Sequence, residues 1–249
     1  MSAAPGGLLG RIARRRSRAL TGFERRESSQ NGEDGVIEEI LRRTGAPREH
    51  FVEFGIGAGV QGNCVRLANT QGWSGLFMEA DADAHDALAA KYAAVERVRT
   101  RREAVSPANV VAVLREEGVP PDLGVLSIDI DGNDWWVWRA LGAHFRPRLM
   151  VIEYNATLGA QAALVRPELP DPWDATTYFG ASIQALRRLG SELGYRLVHT
   201  DSAGVNAFFV PAELTGAFPA EDRVPLHGPG YELPPDPLGR PWVDLDRPA

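Results

Sequence analysis

The chain has 249 residues, of which 44% are hydrophobic and 24% are charged, as in ordinary globular proteins. Its formal net charge of −6 argues against nucleic-acid binding by bulk electrostatic attraction, and its single cysteine, Cys64, excludes an internal disulfide and a thiolate metal site. No apolar run reaches the roughly 18 residues that cross a bilayer, and no signal-peptide core is present, so we expect a cytoplasmic protein without a membrane span.

Three segments differ in composition along the chain. Residues 1–27 contain a basic run at 11–26, for which we expect a solvated helix or a frayed tail; contact with an anionic membrane or nucleic acid is the alternative. Residues 28–212 show the hydrophobic pattern of one folded domain. Residues 213–249 are rich in proline, which predicts an irregular tail that lies on the surface.

Short apolar strands alternate with helices of about ten residues in the central domain. The sequence predicts helices at 28–45, 63–73, 82–95, 107–118, 133–142 and 182–194, and strands at 50–57, 74–81, 97–105, 122–131 and 148–155, with two more in 195–210. This alternation predicts βαβ units, and the last two strands should pair as a hairpin because no helix separates them. The predicted fold is α/β: a Rossmann-like, seven-stranded, mostly parallel sheet with a C-terminal antiparallel hairpin and helices on both faces.

The stretch FVEFGIGAGVQG at 51–62 contains two overlapping glycine patterns. From Gly57 it is G-x-G-x-x-G, typical of nicotinamide or flavin dinucleotide sites, and from Glu53 it is E-x-G-x-G-x-G, typical of S-adenosylmethionine (SAM) sites. Glycines after a strand let the backbone approach a ligand closely, although a tight turn without a ligand is the alternative.

Three features favour SAM over a dinucleotide. Glu53 would attract the cationic sulfonium and ammonium groups of SAM and would repel a pyrophosphate. Glu79, at the end of the second strand, can accept hydrogen bonds from both ribose hydroxyls; a solvated strand-end acid is the alternative. The predicted hairpin also places an antiparallel strand in the sheet, which NAD-binding domains usually lack.

The ordered set SQNGEDG, FVEFGIGAG, GLFMEAD, VLSIDIDGND, VIEYNA and GVNAFFV resembles the class I SAM-dependent methyltransferases of the FkbM-type branch, over residues 28–212. The resemblance implies a seven-stranded sheet, SAM as cofactor, and methyl transfer, commonly to oxygen on sugars or natural products. FkbM-type enzymes often carry D-V-E-G after the fourth strand, where this chain has Asp-Ile-Asp-Gly at 129–132, so the substrate class stays open.

The resemblance also implies positions for the cofactor. The methionine end would lie on Glu53, Gly55, Gly57 and Gly59, with the ribose on Glu79 and the adenine near Asp81 or residues 103–105. Apart from the resemblance, Asp129 after the fourth strand is a further cofactor-binding candidate, because an acid there can contact the SAM ammonium.

Acidic side chains follow the fourth and fifth strands. Because parallel strands end at one edge of the sheet, Asp129, Asp131, Asp134 and Glu153 should converge there. Clustered carboxylates need a cation, shared protons or many donors, and Mg²⁺ prefers such oxygen ligands. We predict Asp131, Glu153 and Asn155 as magnesium ligands with Asp134 or Asp129 beside them; the alternatives are that Asp131 caps the next helix, or that an acid here contacts the SAM ammonium.

Other candidates for chemistry are less distinctive. Asp131 and His199 are the candidate catalytic groups, since a histidine can accept the proton of the methylated hydroxyl; a packed or surface histidine is the alternative. The loop at 171–182 offers Trp173, Tyr178 and Phe179 as substrate-covering residues, or is a plain connection.

The sequence thus predicts a SAM-dependent O-methyltransferase acting on a hydroxylated small molecule such as a sugar or natural product, with Mg²⁺ assistance. An NAD-type oxidoreductase and a non-catalytic SAM-fold scaffold or sensor are the alternatives. The expected partner is a small-molecule acceptor and not a nucleic acid, and the pattern is compatible with a homo-oligomer.

Overall fold

The computed structural model describes residues 19–247, so residues 11–18 of the basic run lie outside the described part. The strands are β1 His50–Phe54, β2 Ser74–Glu79, β3 Val98–Arg102, β4 Val125–Ile128, β5 Leu149–Glu153, β6 Leu164–Val165, β7 Tyr195–Thr200, β8 Asn206–Pro211 and β9 Val243–Asp244. The helices are α1 Glu33–Thr44, α2 Val65–Thr70, α3 Ala82–Tyr92, α4 Val110–Glu116, α5 Asp134–Leu141 and α6 Ile183–Glu192.

Seven strands form one sheet in the order β3-β2-β1-β4-β5-β8-β7. The first five strands are parallel, and β8 pairs antiparallel with both β5 and β7. The predicted α/β sheet with a C-terminal hairpin is therefore confirmed. The order reverses at the boundary between β1 and β4, which is where sheets of this kind open a crevice for ligands.

Helices cover both faces of the sheet because successive strand residues point to opposite sides. In β1, Phe51 packs with α1, α2 and α3 on one face, whereas Val52 and Phe54 pack with α4, α5 and α6 on the other. The two apolar layers hold the strand ends in fixed positions. No helix in the described part of the chain is both long and apolar enough to cross a bilayer.

Two helix starts show how polar side chains set the element boundaries. Ser182 accepts a hydrogen bond from Ala185 N at the start of α6, as an N-cap residue does. The first helix begins at Glu33, later than the predicted residue 28, because the carboxylate of Asp34 accepts the backbone N–H groups of residues 27–29. These amides are therefore held in a loop and not in a helical turn.

The proline-rich tail packs onto the rest of the molecule. Its two-residue strand β9 pairs antiparallel with β6, a short pairing that the sequence pattern did not predict. The Tyr178 hydroxyl donates a hydrogen bond to Pro241 O at 2.7 Å, and the Tyr178 and Trp242 rings meet edge to face at 4.9 Å. The tail thus braces the segment that follows β6.

Candidate active site

The carboxyl ends of the central parallel strands open into a cleft of about 490 Å³. The loops after β1 and β4, the end of β2, the segment after β3 and the loop at 169–173 form its walls. A second cavity of about 180 Å³ adjoins it and shares Gly55, Gly57 and Asp129 with the cleft. The pair of cavities lies at the strand-order reversal.

Two glycines shape the floor of the cleft. Gly55 has φ 73°, and a Cβ there would lie 1.6 Å from Asp129 O, so only glycine lets the β1 and β4 loops touch. Gly57 has φ 60°, and a Cβ there would meet nothing within 4 Å. Gly57 therefore leaves space that a ligand can fill, whereas Gly59 faces away from the cleft and packs against Leu88.

Glu79 links the end of β2 to this glycine loop. Its carboxylate accepts hydrogen bonds from Gly57 N at 2.6 Å, Ala80 N at 2.8 Å and Asp81 N at 2.9 Å. The carboxylate lies in the cleft wall, and about one of its four acceptor sites remains, on Oε2, for a hydroxyl donor of a ligand.

The two sets of residues predicted to lie near the adenine occupy different places. Asp81 is exposed and caps α3 by accepting a hydrogen bond from Ala84 N at 2.9 Å. Asp81 lies outside the cleft, whereas residues 103–105 line the cleft wall.

Glu53 is buried beside the second cavity, with 4% of its surface exposed. Its carboxylate accepts hydrogen bonds from Asn63 N at 2.7 Å and Cys64 N at 2.9 Å. Burial raises the pKa of Glu53 to about 7, against the opposing effect of these two hydrogen bonds. Glu53 therefore fixes the segment before α2 onto β1 and adds an acidic group to the wall of the second cavity.

Three acids meet at the ends of β4 and β5, as the sequence predicts in part. Asp129, Asp131 and Glu153 each offer an oxygen atom, and these atoms lie within 4.8 Å of one another; we call these residues the acidic trio. Burial and mutual repulsion raise the pKa of Asp129 and of Glu153 well above the usual range, and raise the pKa of Asp131 to about 6. Because Glu153 Oε2 is buried without a hydrogen-bond partner, the trio suits a proton or a divalent cation.

The neighbouring Asp134 has a structural role. Its carboxylate accepts hydrogen bonds from Ile130 N at 2.9 Å and Gly132 N at 2.8 Å. Asp134, and not Asp131, therefore closes the turn that starts α5, so the capping alternative for Asp131 is not what the structure shows.

Asn155 is not brought into the trio. Its Nδ2 donates to Thr177 O and Phe179 O, both at 2.9 Å, and its Oδ1 accepts from the backbone and hydroxyl of Thr157. Both ends of the amide are therefore committed, and the predicted ligand Asn155 instead anchors the loop at 177–179.

His199 lies on β7, away from both cavities. It is 1% exposed, its Nε2 is 3.0 Å from a carboxylate oxygen of Glu24, and its ring packs on Phe208. Burial lowers its pKa to about 4. The predicted role of His199 as a base in the cleft is therefore corrected: this position packs into the sheet edge.

The three aromatic candidates occupy different places. Trp173 lines the cleft, with its indole N–H donating to Thr176 O at 2.8 Å. Tyr178 and Phe179 are buried behind it, and the Phe179 ring lies 5.5 Å from that of Trp173. Only Trp173 therefore faces the cleft, and the other two support the loop.

Arg166 is a cleft residue that sequence reasoning missed. It belongs to no recognisable motif, and an arginine in an irregular proline-containing loop reads as a surface residue. Only the fold shows that this loop returns to the end of β4.

Comparisons with known proteins assign the chain to no family. No family model matches it, and no curated protein matches it. Among solved structures, it is similar to a putative O-methyltransferase from Klebsiella pneumoniae, with 20% identity, 85% of this chain and 92% of that chain covered, and a TM-score of 0.46. It is also similar to the N-terminal domain of EvdMO1 with SAH bound, with 14% identity, 81% and 93% coverage, and a TM-score of 0.45. A third structure, an S-adenosylmethionine-dependent methyltransferase from Clostridium acetobutylicum, has 8% identity, 72% and 90% coverage, and a TM-score of 0.45.

Proposed function

We propose that the protein is a SAM-dependent methyltransferase of the FkbM-type branch that methylates oxygen on a hydroxylated small molecule. The observation that carries this proposal is the hydrogen bond from Gly57 N to Glu79, which joins the ends of β1 and β2 beneath an open cleft. A carboxylate held in this position can accept a hydrogen bond from a ribose hydroxyl, and the glycine leaves room above it.

The residues present fit SAM better than a dinucleotide. Glu79 would hold the ribose, residues 103–105 would line the adenine, and Asp129 would face the ammonium group at the boundary of the two cavities. A pyrophosphate at the glycine loop would lie against the carboxylate of Glu79, which accepts a hydrogen bond from Gly57 N, and like charges repel. This repulsion disfavours the NAD-type oxidoreductase.

Bound SAM supplies an electrophilic methyl group, and the chain must orient the acceptor and take its proton. Asp131 suits the second task because its pKa of about 6 leaves it mostly ionised at neutral pH. Burial and mutual repulsion raise the pKa values of the half-buried neighbours Asp129 and Glu153 well above the usual range, which favours their protonated forms. The trio would then receive the acceptor hydroxyl without accumulating three negative charges.

A magnesium ion on the acidic trio is the second form of this proposal. Mg²⁺ would offset two of the three negative charges of the ionised trio and bind Glu153 Oε2, which has no partner among the described residues. It would also acidify a bound hydroxyl. Treatment with a chelator should abolish methyl transfer and added Mg²⁺ should restore it; unchanged turnover in excess chelator removes the metal and leaves the carboxylates as the base.

Calorimetric titration of the full chain with S-adenosylhomocysteine (SAH) and with NADH tests the cofactor. We expect SAH to bind and NADH not to bind, and the reverse result would replace the methyltransferase with the oxidoreductase. Labelled SAM and a panel of hydroxylated acceptors then test the reaction. Asp131→Asn should keep SAH affinity and lose turnover; retained function in that variant would favour the scaffold or sensor.

A further inference from the structure

Arg166 brings a single positive charge into an acidic cleft. It is the one lysine, arginine or histidine among the cleft residues in the described part of the chain, and it is 3% exposed. Five acids line the same cleft: Glu79, Glu103, Asp129, Asp131 and Asp171. A buried guanidinium is costly unless its N–H groups and its charge are matched.

Few of the hydrogen-bond donors of this guanidinium have a partner within the protein. Of its five N–H donors, the described residues engage one, through a hydrogen bond from Nη2 to Asp171 O at 3.1 Å, while Nε is buried without an acceptor. No carboxylate of the described chain lies within ion-pair distance. Asp134 attracts the charge from farther away, but its own oxygens are bonded to backbone amides. The ring of Tyr178, with its centroid 5.8 Å from Cζ, is the remaining charge partner.

The fold nevertheless holds Arg166 firmly. Its backbone N donates to Gly180 O at 2.9 Å, and its backbone O accepts from the Trp136 indole at 2.9 Å. A Cβ on Gly132 would lie 2.5 Å from Nη1, so the guanidinium occupies the space that a side chain at 132 would fill. The group is therefore fixed in the cleft wall one residue beyond Asp131.

We propose that Arg166 binds an oxyanion, a carboxylate or a phosphate, on the methyl acceptor. This inference rests on the proposed function and names its substrate class: a molecule that carries both a hydroxyl, received by the acidic trio, and an anionic group, received by Arg166. Guanidinium matches oxyanions through paired N–H donors, and such charge-assisted bonds are strong in a partly desolvated site. An acceptor without the anion would leave the buried cation unmatched.

The test is a nuclear magnetic resonance titration of the ¹⁵N-labelled full chain saturated with SAH. The probes are inorganic phosphate and acetate, each added at constant ionic strength against chloride. The Arg166 Nε–H resonance is assigned by its loss in Arg166→Lys. The control is the resonance of Arg48, whose side chain is 58% exposed and pairs with Asp122 on the surface.

We expect a saturable shift of the Arg166 resonance at a probe concentration about tenfold below that which affects Arg48, because Arg166 is buried with unused donors whereas Arg48 is solvated and already paired. The oxyanion that binds more tightly identifies the group on the acceptor. Equal responses at Arg166 and Arg48, or an equal effect of chloride, would overturn the proposal and make Arg166 a structural residue.

Turnover gives a second measurement. With labelled SAM, hydroxy acids should be methylated faster than their amides, and Arg166→Gln should raise the KM for the acid by about tenfold or more with a smaller change in kcat. A preference for the amide contradicts the inference while leaving the methyltransferase intact. Absence of SAH binding would instead remove the proposed function, and the same phosphate titration on the unliganded chain would still decide the anion site.

Discussion

The backbone amide of Gly57 and the carboxylate of Glu79 are joined by a hydrogen bond of 2.6 Å. We predict that Glu79→Gln lowers SAH affinity by about tenfold to a hundredfold, because an amide NH₂ would face some of the three backbone donors that now reach the carboxylate. Calorimetric titration measures this loss.

Asp81→Asn is the matched control for that experiment. Asp81 is an exposed helix cap outside the cleft, so its variant should bind SAH as the wild type does. Equal losses in both variants would show that the adenosine lies nearer to Asp81 than we propose.

Gly55 and Gly57 should respond differently to alanine. In Gly55→Ala the new Cβ would overlap Asp129 O, so we expect a loss of about 3 kcal/mol or more in the free energy of unfolding, measured in urea. In Gly57→Ala the Cβ meets nothing, so stability should fall by only about 1 kcal/mol from the left-handed backbone, while SAH affinity falls sharply. A Gly57→Ala protein with normal affinity would place the cofactor away from this loop.

The difference in melting temperature between Glu153→Gln and the wild type should depend on whether magnesium is present. Without metal at mildly alkaline pH, the variant should melt higher than the wild type, because one repelling carboxylate has been removed from the trio. With millimolar Mg²⁺ the wild type should gain melting temperature by mass action and the variant should not.

The control for that comparison is Asp86→Asn, whose carboxylate is 85% exposed and lies on the surface of α3. It should melt like the wild type in both buffers. An identical magnesium response of wild type and Glu153→Gln would remove the metal from the trio.

His199 should make the protein less stable as the pH falls. Its pKa is about 4 in the fold and about 6.5 in an unfolded chain, so between these values the unfolded state binds the extra proton. The stability present above pH 6.5 is therefore lost progressively toward pH 4. The advantage of the wild type over His199→Gln should shrink by about 2 to 3 kcal/mol between neutral pH and pH 4.5.

The measurement is urea unfolding of both proteins across this range. Taking the difference between them cancels the contribution of the carboxyl groups with raised pKa values, which has the opposite sign. A difference that stays constant with pH would mean that His199 is protonated inside the fold.

The C-terminal tail should control the order of the loop that carries Trp173. Trp242→Ala removes the edge-to-face contact with Tyr178, so amide hydrogen exchange at residues 174–180 should become about tenfold faster. Leu238→Ala, at a tail position that is 74% exposed, should have no effect. Unchanged exchange in the Trp242 variant would mean that the other contacts of the loop, such as those of Arg240, the Tyr178 hydroxyl and Asn155, are sufficient to hold it.

Local pattern was sufficient to predict the sheet, because buried strand runs such as Leu149–Ile152 consist of apolar residues alone. It could not predict the β6–β9 pairing, which joins two-residue strands far apart in the chain. It also misplaced the start of α1, because the carboxylate of Asp34 competes with the helix for the preceding backbone amides.

Site residues that directly follow the ends of strands were predictable from the sequence. Site residues on loops that fold back onto the cleft were not. Asp129, Asp131 and Glu153 end adjacent strands, and the topology alone brings them together. Asn155 follows the same rule along the chain, yet its amide is consumed by the loop at 177–179. Arg166 reaches the cleft only because Gly132 leaves space for it, and no sequence pattern predicts that these two residues are neighbours.

Asp131 holds a left-handed backbone conformation, with φ 56°. Asparagine and glycine are the other residues that accept this region readily, and each differs from an aspartate codon by one nucleotide. A descendant of this protein could therefore discard the acid without rebuilding the turn or disturbing the glycine loop. Under the proposed function, a single point mutation separates the enzyme from a protein that still captures its nucleoside but has stopped reacting.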